Sequence, residues 1–257
     1  TMVVAGTNSQ VRLVESYAGV SDAAYLTNAV TEVFVGDGAV VDHYKLLRES
    51  VEAFHIASMH LSLGRSATFS SNAITLGGAI VRNEVMAELR GEGGECTLNG
   101  LYLVDGTRLV DNHTTILHAK PHCDSHELYK GILDNQSRAV FNGKIIVARD
   151  AQKTDAKQTN KALLLSEEAQ INTKPELEIF ADDVKCTHGA TIGQLDSDAL
   201  FYLRSRGLDL EQARDVLIHA FASDVVDRIA ITPIREQLDA VLLQQLPASR
   251  HASFATA

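Results

Sequence analysis

The sequence predicts a mainly β protein, a parallel β-helix, followed by a small C-terminal α-helical region. From Val11 to Ile192, short runs rich in Val, Ile, Thr and Tyr recur about every 10 to 13 residues. No helical segment separates these runs, which leaves a sandwich, a propeller or a β-helix. Asparagines recur along the runs, as expected if side-chain amides stack at the bends of successive coils. After Asp196 the apolar residues change to helical spacing.

The Asn-Gly pairs favour the β-helix over the other two β folds. Sandwiches and propellers join strands by tight two-residue turns, for which Asn-Gly is a preferred pair. Asn99-Gly100 and Asn142-Gly143 both lie inside apolar runs rather than between them. The pattern therefore favours a parallel β-helix with about two runs in each coil.

The predicted strands follow one another closely along the chain. In order they are Val11–Tyr17, Leu26–Val35, Val41–Leu46, Phe54–Leu61, Ala67–Leu76, Ile80–Leu89, Cys96–Val104, Leu109–Leu117, Leu128–Leu133, Ala139–Val147, Leu163–Leu165, Ala169–Ile171 and Val184–Ile192. Ala151–Ala162 is polar, and we expect it to be a loop or a solvated edge. The β-helix core is therefore predicted to span residues 1–195.

Three helices are predicted in residues 196–247, and residues 248–257 are expected to be disordered. Asp196 or Ser197 is the predicted N-cap of the first helix, and Gly207 ends it. Asp209 caps the second helix and Pro233 opens the third. The apolar stripe predicted for the second helix is Leu210, Ala213, Leu217 and Phe221. We expect these helices to cover one end of the coil stack, the last one above all, or to offer a docking face.

Composition excludes several classes of function. The 257 residues carry a net charge of −10, which argues against nucleic-acid binding and against a polybasic membrane anchor. No run of about 18 apolar residues and no signal-peptide pattern occurs, so neither a membrane span nor secretion is expected. Three widely spaced cysteines do not form a disulfide framework and favour a reducing cytosol. Phosphate-binding loops and common catalytic motifs are absent, so we expect no enzyme activity.

Cys186 and His188 are the candidate chemical groups of the last predicted strand. In an extended segment they share one mostly apolar face, about 6.5–7 Å apart, and are expected to point inward or towards a covered surface. A thiolate and an imidazole at this spacing could bind one metal ion or sulfur atom. The alternative is a small buried hydrophobe beside a hydrogen-bonded core histidine.

A second group of candidate ligands lies upstream. It comprises His113, His118, His122, Cys123 and His126. The spacing matches no known zinc pattern well, although three of the histidines could share a face. Structural polar residues are the favoured interpretation, with a metal site as the alternative.

Several longer motifs are spread over the chain: Asp111-Asn112-His113-Thr114, Pro121-His122-Cys123, Glu127–Leu133, Arg138–Lys144, Asp150–Ala156 and Cys186-Thr187-His188-Gly189-Ala190. Together they resemble the SufB/SufD family of iron–sulfur cluster assembly subunits, and the form at 186–190 is closer to the SufD branch. The resemblance is dense over residues 100–230. It implies a right-handed parallel β-helix, and it implies that full-length relatives carry a helical N-terminal region.

The same resemblance implies a non-catalytic scaffold that pairs with SufB and docks the ATPase SufC. A transient iron–sulfur cluster would form at the interface with SufB, with His188 as a ligand and Cys186 supporting it or relaying sulfur; the chain alone would bind none. The candidate residues for SufC docking are Asp198, Phe201, Tyr202, Arg204, Arg206, Leu210, Leu217 and Phe221. Homodimerisation of the isolated chain is a further expectation, and the expected location is the cytoplasm or a plastid stroma.

Two other functions compete with this scaffold. The upstream histidines would suit a stand-alone metal-dependent or carbohydrate-acting β-helix enzyme, although Trp is absent. The chain could also be a purely structural partner in which Cys186 and His188 are core residues.

Overall fold

The computed structural model describes residues 1–245, which form a parallel β-helix followed by three helices, so the predicted fold class is confirmed. The fourteen strands are β1 (Met2–Ala5), β2 (Gln10–Ala18), β3 (Leu26–Val35), β4 (Val40–Arg48), β5 (Phe54–Leu63), β6 (Thr68–Thr75), β7 (Ile80–Leu89), β8 (Glu95–Val104), β9 (Leu109–His118), β10 (Asp124–Leu133), β11 (Arg138–Val147), β12 (Asp155–Leu164), β13 (Gln170–Ile179) and β14 (Lys185–Gly193). Odd-numbered strands form one seven-stranded parallel sheet and even-numbered strands form the other. Each coil therefore contributes one strand to each sheet.

One of the loops that connect the two sheets recurs in each coil, about every 30 residues along the chain. The third, fourth and fifth of these loops place Ser66, Gly93 and His122 in the left-handed conformation. The N–H group of each donates to a carbonyl in the next coil, such as Ser66 to Glu92 at 2.8 Å and His122 to Gln152 at 2.9 Å. The loops are therefore joined by their own ladder of backbone hydrogen bonds, which fixes the register of the coils.

Alternation along each strand separates an apolar interior from the outer faces. Side chains from both sheets fill the space between them, and the largest that are fully buried there include Phe69, Phe141, Leu63, Leu89 and Leu133. Two glycines make room for aromatic rings. A Cβ atom at Gly100 would lie 2.4 Å from the ring of Tyr129, and one at Gly131 would lie 2.3 Å from the ring of Tyr102. Asn99-Gly100 and Asn142-Gly143 lie inside β8 and β11, as their position in apolar runs predicted.

The prediction of a loop or solvated edge at Ala151–Ala162 was wrong, because most of the segment forms β12, which pairs with β10 on one side and β14 on the other. Gln158 and Asn160 point inward, and each is only 1% exposed. The segment lacks the apolar alternation of the other strands because these two inward positions are occupied by amides. Hydrogen bonding inside the β-helix compensates for part of that burial, as the Gln158 amide shows below.

The asparagine side chains stack within strands, which corrects the expectation that they would stack at the bends of successive coils. Asn72 lies beside Asn99 in register, and the Nδ2 atom of Asn99 donates to the Oδ1 atom of Asn72 at 3.1 Å. Asn83 pairs with Asn112 in the same way, also at 3.1 Å. Parallel in-register strands bring identical amides together every 4.7–4.9 Å, which suits a ladder.

The helices are α1 (Ser197–Ser205), α2 (Leu210–Val226) and α3 (Thr232–Gln245). Asp196 caps α1 through its carboxylate, and Asp209 caps α2 in a capping box with Gln212. Gly207 follows α1 with a φ of +99°, and Pro233 lies in the first turn of α3. No helix within residues 1–245 is long and apolar enough to span a membrane.

The helices pack on the outer face of the even-numbered sheet, and do not cover the end of the coil stack as expected. Outward residues of the sheet such as Leu101, Leu128 and Ile132 form one buried cluster with Ile218 of α2 and Leu242 of α3. Because these sheet positions are apolar along several coils, the flank of the stack is what requires a cover.

The predicted stripe on α2 was also partly wrong. Ala213 is buried as expected, but Leu210 is exposed and Leu217 and Phe221 are partly buried. The buried face of the helix is formed by Ala213, Ile218, Ala222, Val225 and Val226. The tail predicted for residues 248–257 lies outside the described residues.

Candidate functional site

β14 is the last strand of the even-numbered sheet, and it pairs only with β12. Its other edge therefore presents unpaired backbone groups. β13 ends the odd-numbered sheet in the same way, so the last coil is open in the described part of the chain. Most of β14 is exposed, in contrast to the buried strands that precede it.

Cys186 and His188 lie in β14 on the side that faces the interior in earlier coils. Cys186 follows Ala156 in register and His188 follows Gln158, and both of those residues of β12 are buried. The shared face is therefore as predicted, but the face is not covered. No further coil follows β14 within residues 1–245, and in this structure His188 is exposed and Cys186 is partly buried.

The two side chains differ in chemical environment. Cys186 packs against a small cluster that includes Val147, Ala156 and Ala181. Burial raises the pKa of the Cys186 thiol, and the carboxylate of Asp155 adds to this effect. The thiol is therefore protonated at neutral pH in the free chain, whereas the exposed imidazole of His188 is accessible to a partner molecule.

A row of polar side chains continues from His188 into the β-helix. Glu127 of β10, Gln158 of β12 and His188 occupy successive positions in register. The Nε2 atom of Gln158 donates to the Oε2 atom of Glu127 at 2.6 Å. Burial raises the pKa of Glu127 to about 7. Sequence analysis did not identify Glu127 or Gln158, because only the register of a parallel β-helix places them beside His188.

A second group of polar residues lies between the sheets near the other end of the stack. The Nζ atom of Lys45 donates to the Oδ1 atom of Asn83 at 2.7 Å, and His43 lies 3.1 Å from Glu15. These residues line a cavity of about 30 Å³. Burial lowers the pKa of Lys45 to about 8, against the opposing effect of Glu15. Strand alternation could have indicated this group, since Lys45 lies on the same inward face of β4 as Val41 and Leu47.

The upstream histidines do not come together. His113 points outward and contacts Asp111 at 2.8 Å, whereas His118 is buried and bonds to Ser125 at 2.9 Å. His122 lies in a turn, and His126 is exposed. Within residues 1–245, no group of three or more His, Cys, Asp or Glu side chains could hold a metal ion. The shared face considered for His118, His122 and His126 is therefore wrong.

The candidate docking residues are mainly at the surface. Asp198, Phe201, Tyr202, Arg204, Arg206 and Leu210 are exposed, and Phe201 is 76% exposed. Phe221 instead packs on the sheet, with the Nζ atom of Lys130 lying 4.3 Å from the centre of its ring. Leu217 is partly buried. Six of the eight residues are therefore accessible to a partner.

The fold and the site define a parallel β-helix protein with flanking helices and an open end that carries a thiol and an imidazole. The family model described as "SUF system FeS cluster assembly, SufBD core domain" matches residues 1–221. The chain therefore belongs to the SufBD core family of the SUF system for iron–sulfur cluster assembly.

Curated relatives agree with this family. The chain is 39% identical over 245 residues to an iron–sulfur cluster assembly SufBD family protein of Synechocystis sp., covering 92% of this chain and 54% of the relative. It is 38% identical over 239 residues to the iron–sulfur cluster assembly protein SufD of Escherichia coli, covering 93% and 56%. Protein ABCI7, chloroplastic, of Arabidopsis thaliana is 36% identical over 89% of this chain and 48% of the relative. The chain thus spans about half the length of these relatives.

Proposed function

We propose that this chain is a non-catalytic scaffold subunit on which a nascent iron–sulfur cluster is built at the open end of the β-helix. The observation that carries the proposal is the position of Cys186 and His188 on an exposed terminal strand within a SufBD core. Thiolate and imidazole are both ligands of iron in such clusters. The cluster is cargo that must leave again, and a mixed set of ligands binds it less firmly than four thiolates.

A second subunit must supply the remaining ligands. Within residues 1–245, the strand β14 offers one thiol and one imidazole, and no group of three or more His, Cys, Asp or Glu side chains that could hold a metal ion is found. The open strand edges of the last coil suit β pairing with another β-helix. We therefore infer that a SufB-type subunit pairs here, that His188 is a ligand at the interface, and that Cys186 supports it or accepts sulfur. Pairing of two copies of this chain is the alternative state of the isolated protein.

The exposed face of α1 and the start of α2 is the inferred docking surface for a SufC-type ATPase. Phe201 and Tyr202 provide exposed aromatic rings, and Arg204 and Arg206 provide nearby positive charges. Aromatic residues and arginines are enriched among energetically dominant interface residues. Relatives from bacteria and a chloroplast support the cytoplasm or the plastid stroma as the location.

Co-expression with partners tests the proposal. The tagged chain is expressed with the SufB-type and SufC-type subunits of its host, and the captured proteins are identified. Both subunits are expected to co-purify, and anaerobic cluster reconstitution is expected to fall at least tenfold for His188→Ala. The matched control is His60→Ala, an exposed histidine of β5 in the other sheet and far from β14 along the stack. Unchanged reconstitution by His188→Ala would contradict the role of His188 and support a purely structural partner.

A further inference from the structure

The Gln158 side chain is held in one orientation by its neighbours. Its Nε2 atom donates to the Oε2 atom of Glu127 at 2.6 Å inside the β-helix. On the opposite sheet, a Cβ atom at Gly143 would lie 2.3 Å from the Nε2 atom of Gln158. The absence of a side chain at Gly143 therefore provides the space that the amide occupies. Gln158 is 1% exposed, so few other rotamers are accessible to it.

This orientation leaves one buried acceptor without a partner. Because Nε2 is bound to Glu127, the Oε1 atom of Gln158 lies on the other side of the amide group. Oε1 is buried and makes no hydrogen bond to any residue that the structure describes. Leaving a buried carbonyl oxygen without a hydrogen bond is unfavourable, so a donor is expected to satisfy it in the working state.

His188 is the nearest donor in register. It lies directly beside Gln158 in the next strand and on the same face, at the strand spacing of about 4.7–4.9 Å. The imidazole is exposed and makes no hydrogen bond within residues 1–245, so it is free to rotate towards the amide. One ring nitrogen can then reach the Oε1 atom while the other points out of the open end.

We propose that Gln158, anchored by Glu127, is a positioning residue for His188. The Oε1 atom of Gln158 accepts a hydrogen bond from one ring N–H group of His188, which fixes a single neutral tautomer. The other ring nitrogen then carries the lone pair and faces the interface. Metal-binding histidines commonly donate their second ring nitrogen in this way, and the partner orients the ligand. The inference rests on the proposed role of His188 as a ligand.

Nitrogen NMR of the imidazole tests the orientation without any cluster. The tautomer of His188 in the 257-residue chain is read from long-range proton–nitrogen correlations at a pH where the ring is neutral. One tautomer is expected to dominate in the unaltered chain. In Gln158→Met, which keeps the length and removes the acceptor, the minor tautomer is expected to rise at least threefold. Gln170→Met, at an exposed position of β13, is the matched control and is expected to change nothing.

A second variant guards against misfolding of the first. Glu127→Gln keeps the shape of the side chain but removes the charged acceptor that fixes the Gln158 amide, so a smaller rise of the minor tautomer is expected. Circular dichroism checks that each variant is folded. An unchanged tautomer ratio in the folded variants would overturn the inference.

Cluster reconstitution with the partner subunits separates this inference from the proposed function. Gln158→Met is expected to reduce cluster yield at least fivefold. The double variant Glu127→Gln with Gln158→Glu, which exchanges the two groups and so keeps both the anchoring hydrogen bond and the acceptor for His188, is expected to restore part of it. If His188→Ala retains full yield, the ligand role of His188 fails, while the tautomer ratio still decides whether Gln158 orients the ring. Full yield in folded Gln158→Met together with a loss in His188→Ala would overturn the positioning role alone.

Discussion

Glu127 is a buried carboxyl group whose charged form is disfavoured by the interior of the β-helix. It is 3% exposed, and burial raises its pKa from 4.5 to about 7. In the unfolded chain the same group titrates near its ordinary value. Between these two values the folded protein therefore binds more protons than the unfolded chain, so this group makes stability fall as the pH rises from about 4.5 to 7.

Replacement of Glu127 by Gln should remove that pH dependence. The free energy of unfolding of Glu127→Gln, relative to the unaltered chain, is expected to increase by on the order of 3 kcal/mol between pH 4.5 and pH 7.5. Chemical denaturation at several pH values measures this difference. The lowered pKa of His118 makes stability rise with pH, which is the opposite effect. Because both proteins contain His118, this contribution cancels when their free energies of unfolding are subtracted. A difference that does not vary with pH would contradict the burial argument.

Gly143 is the residue that gives the Gln158 amide its space. In Gly143→Ala the new methyl group would lie 2.3 Å from the Nε2 atom and 2.7 Å from the Cδ atom of Gln158. The amide would have to leave Glu127, so destabilisation of about 1–3 kcal/mol is expected. Urea unfolding with an unchanged m value measures it.

Gly189→Ala is the matched control for this substitution. Gly189 lies in the exposed strand β14, and nothing lies within 4 Å of a Cβ atom built there. Its effect is expected to stay within about 0.5 kcal/mol. Equal effects at the two glycines would show that backbone freedom, and not the contact with Gln158, determines the cost.

Helix α2 is fastened to the outer face of the sheet by apolar contacts and by one buried cation. The Nζ atom of Lys130 lies 2.9 Å from the Oδ2 atom of Asp224 and donates to the carbonyl oxygen of Phe221 at 2.9 Å. Lys130 is 4% exposed, so its charge depends on these partners. Helix α2 is thus fixed on the outer face of the even-numbered sheet and does not cover the open end of the coil stack.

Ile218→Ala should weaken the packing of α2. Ile218 is 1% exposed within the cluster shared by the sheet and α3, and the truncation leaves a cavity. A loss of about 2–5 kcal/mol is expected, with faster amide exchange in α2 and α3 than in the strands. Val216→Ala, at a position 45% exposed in the same helix, is the control and should cost far less. Equal losses would mean that α2 is not held by this face.

At the scale of the whole molecule, the open last coil is the feature on which the proposed pairing with a second subunit rests. Terminal coils of β-helices normally need a cover, because stacked coils bury their faces only against neighbours. Here β13 and β14 each pair on one side only. The flanking helices do not provide the cover, and this leaves the end with Cys186 and His188 accessible.

A charge placed on this end should prevent pairing. Ala190 is exposed in β14 and shares the face of His188. Ala190→Glu is expected to weaken capture of the SufB-type subunit by on the order of tenfold, because a carboxylate would be desolvated at the interface. Quantitative pull-down measures this loss. Ala220→Glu, at an exposed position of α2, controls for the added charge, and equal capture by both variants would refute pairing through β14.

Local patterns favoured a β-helix over a sandwich or a propeller, and the family resemblance decided in its favour. The sequence by itself determined the positions of most strands, the helix caps and the shared face of Cys186 and His188. These features depend on local alternation, capping residues and spacing, which are readable without long-range contacts. Sequence reasoning missed strand β12, because its inward amides conceal the apolar alternation. It also assigned the helices to the end of the stack, because outward apolar residues on separate strands form one surface only after the coils are stacked.

Tertiary structure alone decided what surrounds the candidate site. The row from Glu127 through Gln158 to His188 joins residues about 30 positions apart, and it exists only because successive coils are in register. The exposure of His188 likewise depends on β14 being the last strand among residues 1–245. The physical reason is that a parallel β-helix converts distant sequence positions into neighbours through its coil length, a quantity that local patterns specify only approximately.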